Sequence, residues 1–128
     1  MDNARPFPAE VHPLFRDFVD AQRAGRLVVR RCTGCEHVQW PPREFCGGCR
    51  GTEFTPHEVE PSGVVYTYTV VHRAFHPWFA DRVPYGVAVV GLADGIRLTG
   101  LFEPVDRLAC GVEVHGEVDA DGLMWTPR

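Results

Sequence analysis

The apolar positions change rhythm twice along the chain. Leu14, Phe15, Phe18 and Val19 recur at helical spacing, and Ala21 and Gln22 widen the same face, which predicts an amphipathic helix from Pro13 to about Ala24. Pro13 suits a first helical position, Arg23 falls in the last turn, and Gly25 offers a left-handed stop. Leu27 to Arg31 is a short β-branched run leading into Cys32. Beyond Pro61 the period becomes that of strands, and five are expected: Val64 to Val71, Tyr85 to Gly91, Ile96 to Phe102, Gly111 to Val118 and Leu123 to Thr126. Asp94-Gly95 and Asp121-Gly122 sit at hairpin distance, so the strands they join should pair antiparallel. The one long connection, His72 to Pro84, carries Phe75, Trp78 and Phe79.

These elements divide the 128 residues into an N-terminal helix (1–25), a cysteine-bearing ribbon (26–60) and a β-barrel (61–128), a mainly β chain with Pro56 to Pro61 as the natural boundary. Composition narrows the chemistry. All 13 basic residues are Arg, Ser62 is the only serine and Asn3 the only asparagine. Schiff-base and phosphate-loop lysines are therefore excluded, and Ser62 lacks the glycine frame of a nucleophile elbow. No apolar run reaches the length of a membrane span, and Met1 to Pro8 lacks a signal pattern, so the expected location is the cytoplasm, away from membranes.

Four of the five cysteines form two pairs, Cys32-Thr33-Gly34-Cys35 and Cys46-Gly47-Gly48-Cys49, ten residues apart. Four thiolates at this spacing match a closed tetrahedral zinc site, and Gly34, Gly48 and Gly51 suit tight turns whose N–H groups point at sulfur. Iron would accept the same four sulfurs. A site with four protein ligands has no open position, so the expected role of the metal is structural, and residues 26–52 hold too few apolar side chains for a core of their own.

His72 and His76 read as surface residues at a strand end and in a loop, and Cys110, at a strand start, as a small buried residue. Tyr66 and Tyr68 are expected to share one strand face as ordinary packing. Phe75, Trp78 and Phe79 are candidate partner contacts, because large aromatics in a loop need a cover. Trp40-Pro41-Pro42-Arg43 is a second candidate edge for a ligand or subunit. Nucleic acid is disfavoured as a partner. Residues 26–50 carry a surplus of three Arg over acids, which a four-thiolate zinc centre reduces to about +1, and residues 61–128 carry a surplus of three acids.

The order of helix, Leu27 to Cys32 lead-in, Cys32/Cys35/Cys46/Cys49 ribbon, Val83-Pro84-Tyr85-Gly86-Val87-Ala88 and the Leu92-Ala93-Asp94-Gly95 hairpin resembles the DUF35 family over about Pro13 to Trp125. The resemblance implies a rubredoxin-like zinc ribbon followed by a five-stranded OB-fold barrel, with structural Zn²⁺ on the four cysteines. It implies an accessory subunit of a hetero-oligomer that pairs with a thiolase-like aldolase or thiolase, in some members for steroid side-chain breakdown, or with a hot-dog-fold enoyl-CoA hydratase. Acyl-CoA would be the shared substrate, the catalytic residues would lie on the partner, and Arg31, Trp40 and Arg43 would face the CoA or the partner. Two other functions compete with this one: a single-stranded nucleic-acid binder, and an enzyme acting on thioesters through His72 or His76.

Overall fold

The computed structural model describes residues 11–120 and 122–128. Met1 to Pro8 and Asp121 of the second Asp-Gly turn lie outside the described residues.

A 3-10 turn, Pro13–Phe15, is capped by His12, whose Nδ1 accepts from the Leu14 N–H at 3.2 Å, and it leads into α1, Arg16–Arg23. The helix stops at Gly25 (φ +82°): the Gly25 N–H donates to the Gln22 carbonyl and the Arg26 N–H to that of Ala21, a paired closure that needs a left-handed residue. Eight strands follow among the described residues. A three-stranded antiparallel sheet has the order β2-β1-β3, from β1 (Leu27–Cys32), β2 (Val38–Gln39) and β3 (Phe54–Val59). The remaining five, β4 (Ser62–Val71), β5 (Tyr85–Leu92), β6 (Arg97–Phe102), β7 (Glu113–Asp119) and β8 (Gly122–Pro127), close a barrel in the order β4-β5-β6-β8-β7. All its neighbours are antiparallel except the short β6–β8 contact.

The five expected barrel strands are all present. β3 was not read from the sequence, because it occupies the stretch taken as a boundary and has Pro56 inside it. It is an edge strand, bonded only to β1, and an edge tolerates the missing proline N–H.

One apolar core serves both sheets. Leu27 and Val29 of β1 and Val59 of β3 belong to the same buried cluster as Val65, Val90, Leu98, Phe102, Val114 and Trp125 of the barrel. The ribbon's sheet thus borrows its core from the barrel, while Phe18 of α1 packs on Trp40, with ring centres 4.3 Å apart, to close the other side. At the barrel's centre is Trp125, fully buried on β8. Glycines make room for it on both neighbouring strands: a Cβ at Gly100 of β6 would lie 2.9 Å from the indole, and one at Gly116 of β7 would lie 2.8 Å from it.

Tyr66, Tyr68 and Cys110 lie differently from what their sequence positions suggest. Tyr66 is the extra residue of a β-bulge between Val65 and Thr67, which breaks the alternation of β4. Tyr68 faces the same way as Ala88, its cross-strand partner, whereas Tyr66 lies beneath Arg97 on the face shared by Val64, Gly91 and Arg97. Both tyrosines are exposed, at 56% and 42%, so neither is core packing. Cys110 is likewise exposed: it stands in the turn that Gly111 (φ +88°) makes before β7 begins at Glu113.

Candidate metal centre and flanking surfaces

β1 delivers Cys32 as its last residue, and the chain then makes two turns of the same design. In the first, the Glu36 N–H donates to the Cys32 carbonyl at 2.9 Å and the Cys32 N–H to the His37 carbonyl at 2.9 Å. In the second, the Arg50 N–H donates to the Cys46 carbonyl at 2.8 Å and the Cys46 N–H to the Gly51 carbonyl at 2.7 Å. Each turn places a non-glycine residue at positive φ immediately after its second cysteine, Glu36 at 64° and Arg50 at 66°. Residues other than glycine pay steric energy in that region, so the repetition of the geometry marks a constraint common to both knuckles.

The constraint is the convergence of four sulfurs. Cys32, Cys35, Cys46 and Cys49 place their Sγ atoms within 4.8 Å of one another. Cys32 to Cys49 is 3.5 Å and Cys35 to Cys46 is 3.6 Å, far beyond a disulfide bond and close to the edge of about 3.8 Å that Zn–S bonds of about 2.3 Å give a tetrahedron. Backbone N–H groups aim at the sulfurs, Gly48 at Cys46 (3.2 Å) and Gly51 at Cys49 (3.4 Å). A Cβ at Gly51 would press on two sulfurs at 3.3 and 3.4 Å. The donor set and the cradle fit zinc, and all four sequence-predicted ligands come together.

Two of the thiols, Cys46 and Cys35, are pushed in opposite directions. The backbone N–H of Cys49 is the largest influence on Cys46 and holds its thiol down at about 6 against burial, helped by Gly48 and the neighbouring sulfurs of Cys35 and Cys32. On Cys35 the His37 N–H pulls downward, but hydrogen bonds to Cys49, Cys46 and Cys32, together with burial, push it up to about 12. Between these values Cys46 is a thiolate and Cys35 keeps a proton that a metal must displace. Zinc affinity therefore rises with pH by about tenfold per unit for each displaced proton, and the dependence steepens below about 6, where Cys46 is protonated as well. Competition with a chromophoric chelator from pH 5 to pH 8 measures this slope, and a flat profile would contradict the assignment.

The flanking candidates separate. Arg31 is committed to Glu36 at 2.8 Å, bracing the first knuckle. Trp40 is half-buried between α1 and the ribbon, held by Phe18 and, edge-on at 5.9 Å, by Phe15. Trp40 and Arg43 together line a groove between ribbon and barrel that Arg31 does not reach. In the long loop, the barrel covers two of the three aromatics. Phe79 stacks on Tyr85 at 4.5 Å and Trp78 lies under the Arg82 guanidinium at 3.8 Å; both line a pocket of about 380 Å³ with Leu101, Phe102 and Met124. Phe75 alone remains outside, 80% exposed. His76 caps the Pro77–Phe79 turn by accepting the Trp78 N–H at 3.1 Å, and His72 is exposed beyond the end of β4. Arg82, Tyr85 and Arg97 are not singled out by the sequence: Arg97 meets Tyr66 of a distant strand, and the pocket that Arg82 and Tyr85 line is completed by Leu101, Phe102 and Met124 from far along the chain. Among the described residues no helix is long and apolar enough to cross a membrane.

A four-cysteine zinc ribbon whose sheet shares its core with a five-stranded barrel defines the class: a zinc ribbon plus OB-fold protein. Residues 20–55 match the ChsH2 rubredoxin-like zinc ribbon domain and residues 56–119 the ChsH2 C-terminal OB-fold domain. The chain belongs to the DUF35 family. It is 37% identical over 115 residues to a probable enoyl-CoA hydratase alpha subunit of Thermomonospora curvata, covering 86% of this chain and 34% of that protein. It is 43% identical over 75 residues to a DUF35 domain-containing scaffold protein of Methanocaldococcus jannaschii, covering 58% of this chain and 52% of the relative. The chain thus spans about a third of the first relative and about half of the second. Among solved structures, a chain of the Ltp2-ChsH2(DUF35) aldolase superposes with a TM-score of 0.81 at 30% identity, over 94% of this chain and 98% of that one.

Proposed function

We propose that the chain is a non-catalytic accessory subunit of an acyl-CoA-processing complex, paired with a thiolase-like aldolase or thiolase and helping to position the acyl-CoA. The observation that carries this reading is the end-to-end similarity to a chain of an aldolase complex. The chemistry agrees with it: the four sulfurs close the metal's coordination, His76 is spent as a cap, and the composition contains no lysine. Phe75 is the exposed anchor for the partner, standing on a loop that Trp78 and Phe79 fasten to the barrel.

Turnover of an acyl-CoA aldol substrate, measured with this chain alone, a thiolase-like enzyme of the same organism alone, and the two together, tests the proposal. Activity is expected only from the pair. Phe75→Ala should weaken the complex by about tenfold or more while leaving the stability of the isolated chain unchanged, because an exposed ring contributes little to folding. Turnover by this chain alone would overturn the reading.

A further inference from the structure

The barrel closes, but β4 is not paired on both sides along its whole length. β7 pairs with β4 only at Ser62–Val64, and Val65 exchanges two further bonds with the turn before β7, donating to the Val112 carbonyl and accepting from the Gly111 N–H, each at 2.9 Å. The bulge at Tyr66 then bends β4 away from that neighbour. From Thr67 to Val71 the strand is bonded to β5 alone, so among the described residues the other edge of this stretch has no backbone partner. Thr67, Tyr68 and Thr69 are exposed in succession, which means that both faces of the strand reach solvent along with its edge.

An open edge is ordinarily guarded, because its unpaired N–H and C=O groups are a template for another strand. Guards of this kind stand elsewhere in the chain. β3 has Pro56 and Glu58, β2 is two residues long, and β6, which begins at Arg97, faces the ribbon across the groove that Trp40 lines. Thr67–Val71 has none of them: Thr-Tyr-Thr-Val-Val contains no charge, no proline and no glycine, and every residue is β-branched or aromatic, the types that favour strands. The loop that follows lies toward β5 instead. Phe79 stacks on Tyr85, and with Trp78 it lines the pocket that Leu101 and Phe102 complete.

The residues of the edge also say what fits it. Thr69 is the middle of the open stretch, and a two-fold axis through a residue keeps outward-pointing backbone groups opposite one another. Antiparallel pairing of the edge with itself about Thr69 sets Thr69 against Thr69, Tyr68 against Val70 and Thr67 against Val71. Opposed residues share a face, so one face pairs aromatic with β-branched, the other pairs β-branched with β-branched, and no like charges meet. We infer that two copies of this chain join edge to edge through Thr67–Val71, making one continuous sheet from two barrels. The contact uses neither the groove nor Phe75, and the inference does not depend on which enzyme the chain joins.

Five residues a side make a small interface, so a weak dimer is expected, half dissociated at about 10–100 μM. Sedimentation equilibrium of the zinc-loaded full chain, from about 5 to about 500 μM, measures it. Thr69→Lys and Thr69→Glu each put two like charges at the axis and should each weaken self-association by about tenfold or more. Mixed in equal amounts, the two variants should associate at least as tightly as the unsubstituted chain, and less tightly as salt is raised, because lysine then faces glutamate. Recovery in the mixture also shows that each variant is folded. A chain that stays monomeric throughout this range, self-association indifferent to both substitutions, or a mixture that does not recover would overturn the inference. So would a monomeric chain whose Thr69→Lys variant fails to bind a thiolase-like enzyme, a result that gives the edge to that partner. Self-association is measured without the enzyme, so its failure and the failure of the proposed pairing are separate results.

Discussion

Cys46→Ser is expected to release the metal and unfold the two knuckles, but to leave the barrel and most of β1 and β3 in place. Cys46 is fully buried, its sulfur accepts the Gly48 N–H, and its backbone closes the second knuckle through Arg50 and Gly51. Structural zinc sites contribute on the order of 10 kcal/mol of folding free energy, and nothing apolar between Thr33 and Glu53 replaces that: of this stretch only Val38 and Trp40 pack against the main core. Leu27, Val29 and Val59, by contrast, are fixed by barrel side chains and not by metal. The whole cysteine module, read as one unit from the sequence, therefore has two supports. Limited tryptic digestion of the metal-free protein should cut first at Arg43 and Arg50, both exposed, and leave a protected barrel fragment. Identical digestion of the zinc-loaded and metal-free forms, with metal loss verified, would contradict this account.

Trp125→Ala should destabilise the chain by about 3–5 kcal/mol, a large share of the roughly 5–15 kcal/mol that holds a domain of this size together. The side chain is fully buried, and the glycines beside it leave no atoms that could move in to fill the space. The reciprocal substitutions Gly100→Ala and Gly116→Ala should cost about 1–3 kcal/mol through overpacking, since each new Cβ would lie within 3 Å of the indole. Trp125→Phe should cost less than its lost volume suggests, because the buried indole Nε1 has no hydrogen-bond partner among the described residues and phenylalanine removes that penalty. Urea unfolding of the four variants measures the order, and a Trp125→Ala midpoint close to that of the unsubstituted chain would refute the central role of this residue.

The sequence disclosed most of the frame. The helix was legible from its period and Gly25, β1 from its β-branched run into Cys32, and all five barrel strands from their β-branched and aromatic residues bounded by Gly, Pro or Asp signals; the four metal ligands were legible because C-x-x-C spacing encodes a local turn. What remained hidden depends on neighbours distant in the chain. β3 could be recognised only once β1 was known to offer it an edge that tolerates Pro56. The bulge at Tyr66 changes the facing of its neighbours without a proline or glycine to announce it. The glycines inside β6 and β7 were visible as letters, but their purpose becomes clear only beside Trp125. Arg97 joins the groove because β6 passes opposite the ribbon, a relation that no spacing in the sequence encodes.

The proposal that catalysis resides on another chain is tested most directly by co-expressing this protein with a thiolase-like enzyme of the same organism. Size-exclusion chromatography with light scattering, on zinc-loaded material, then reads the outcome. One species containing both chains is expected, lost when Phe75 is replaced by alanine. Separate elution of two folded chains, with zinc bound to this one, would contradict it.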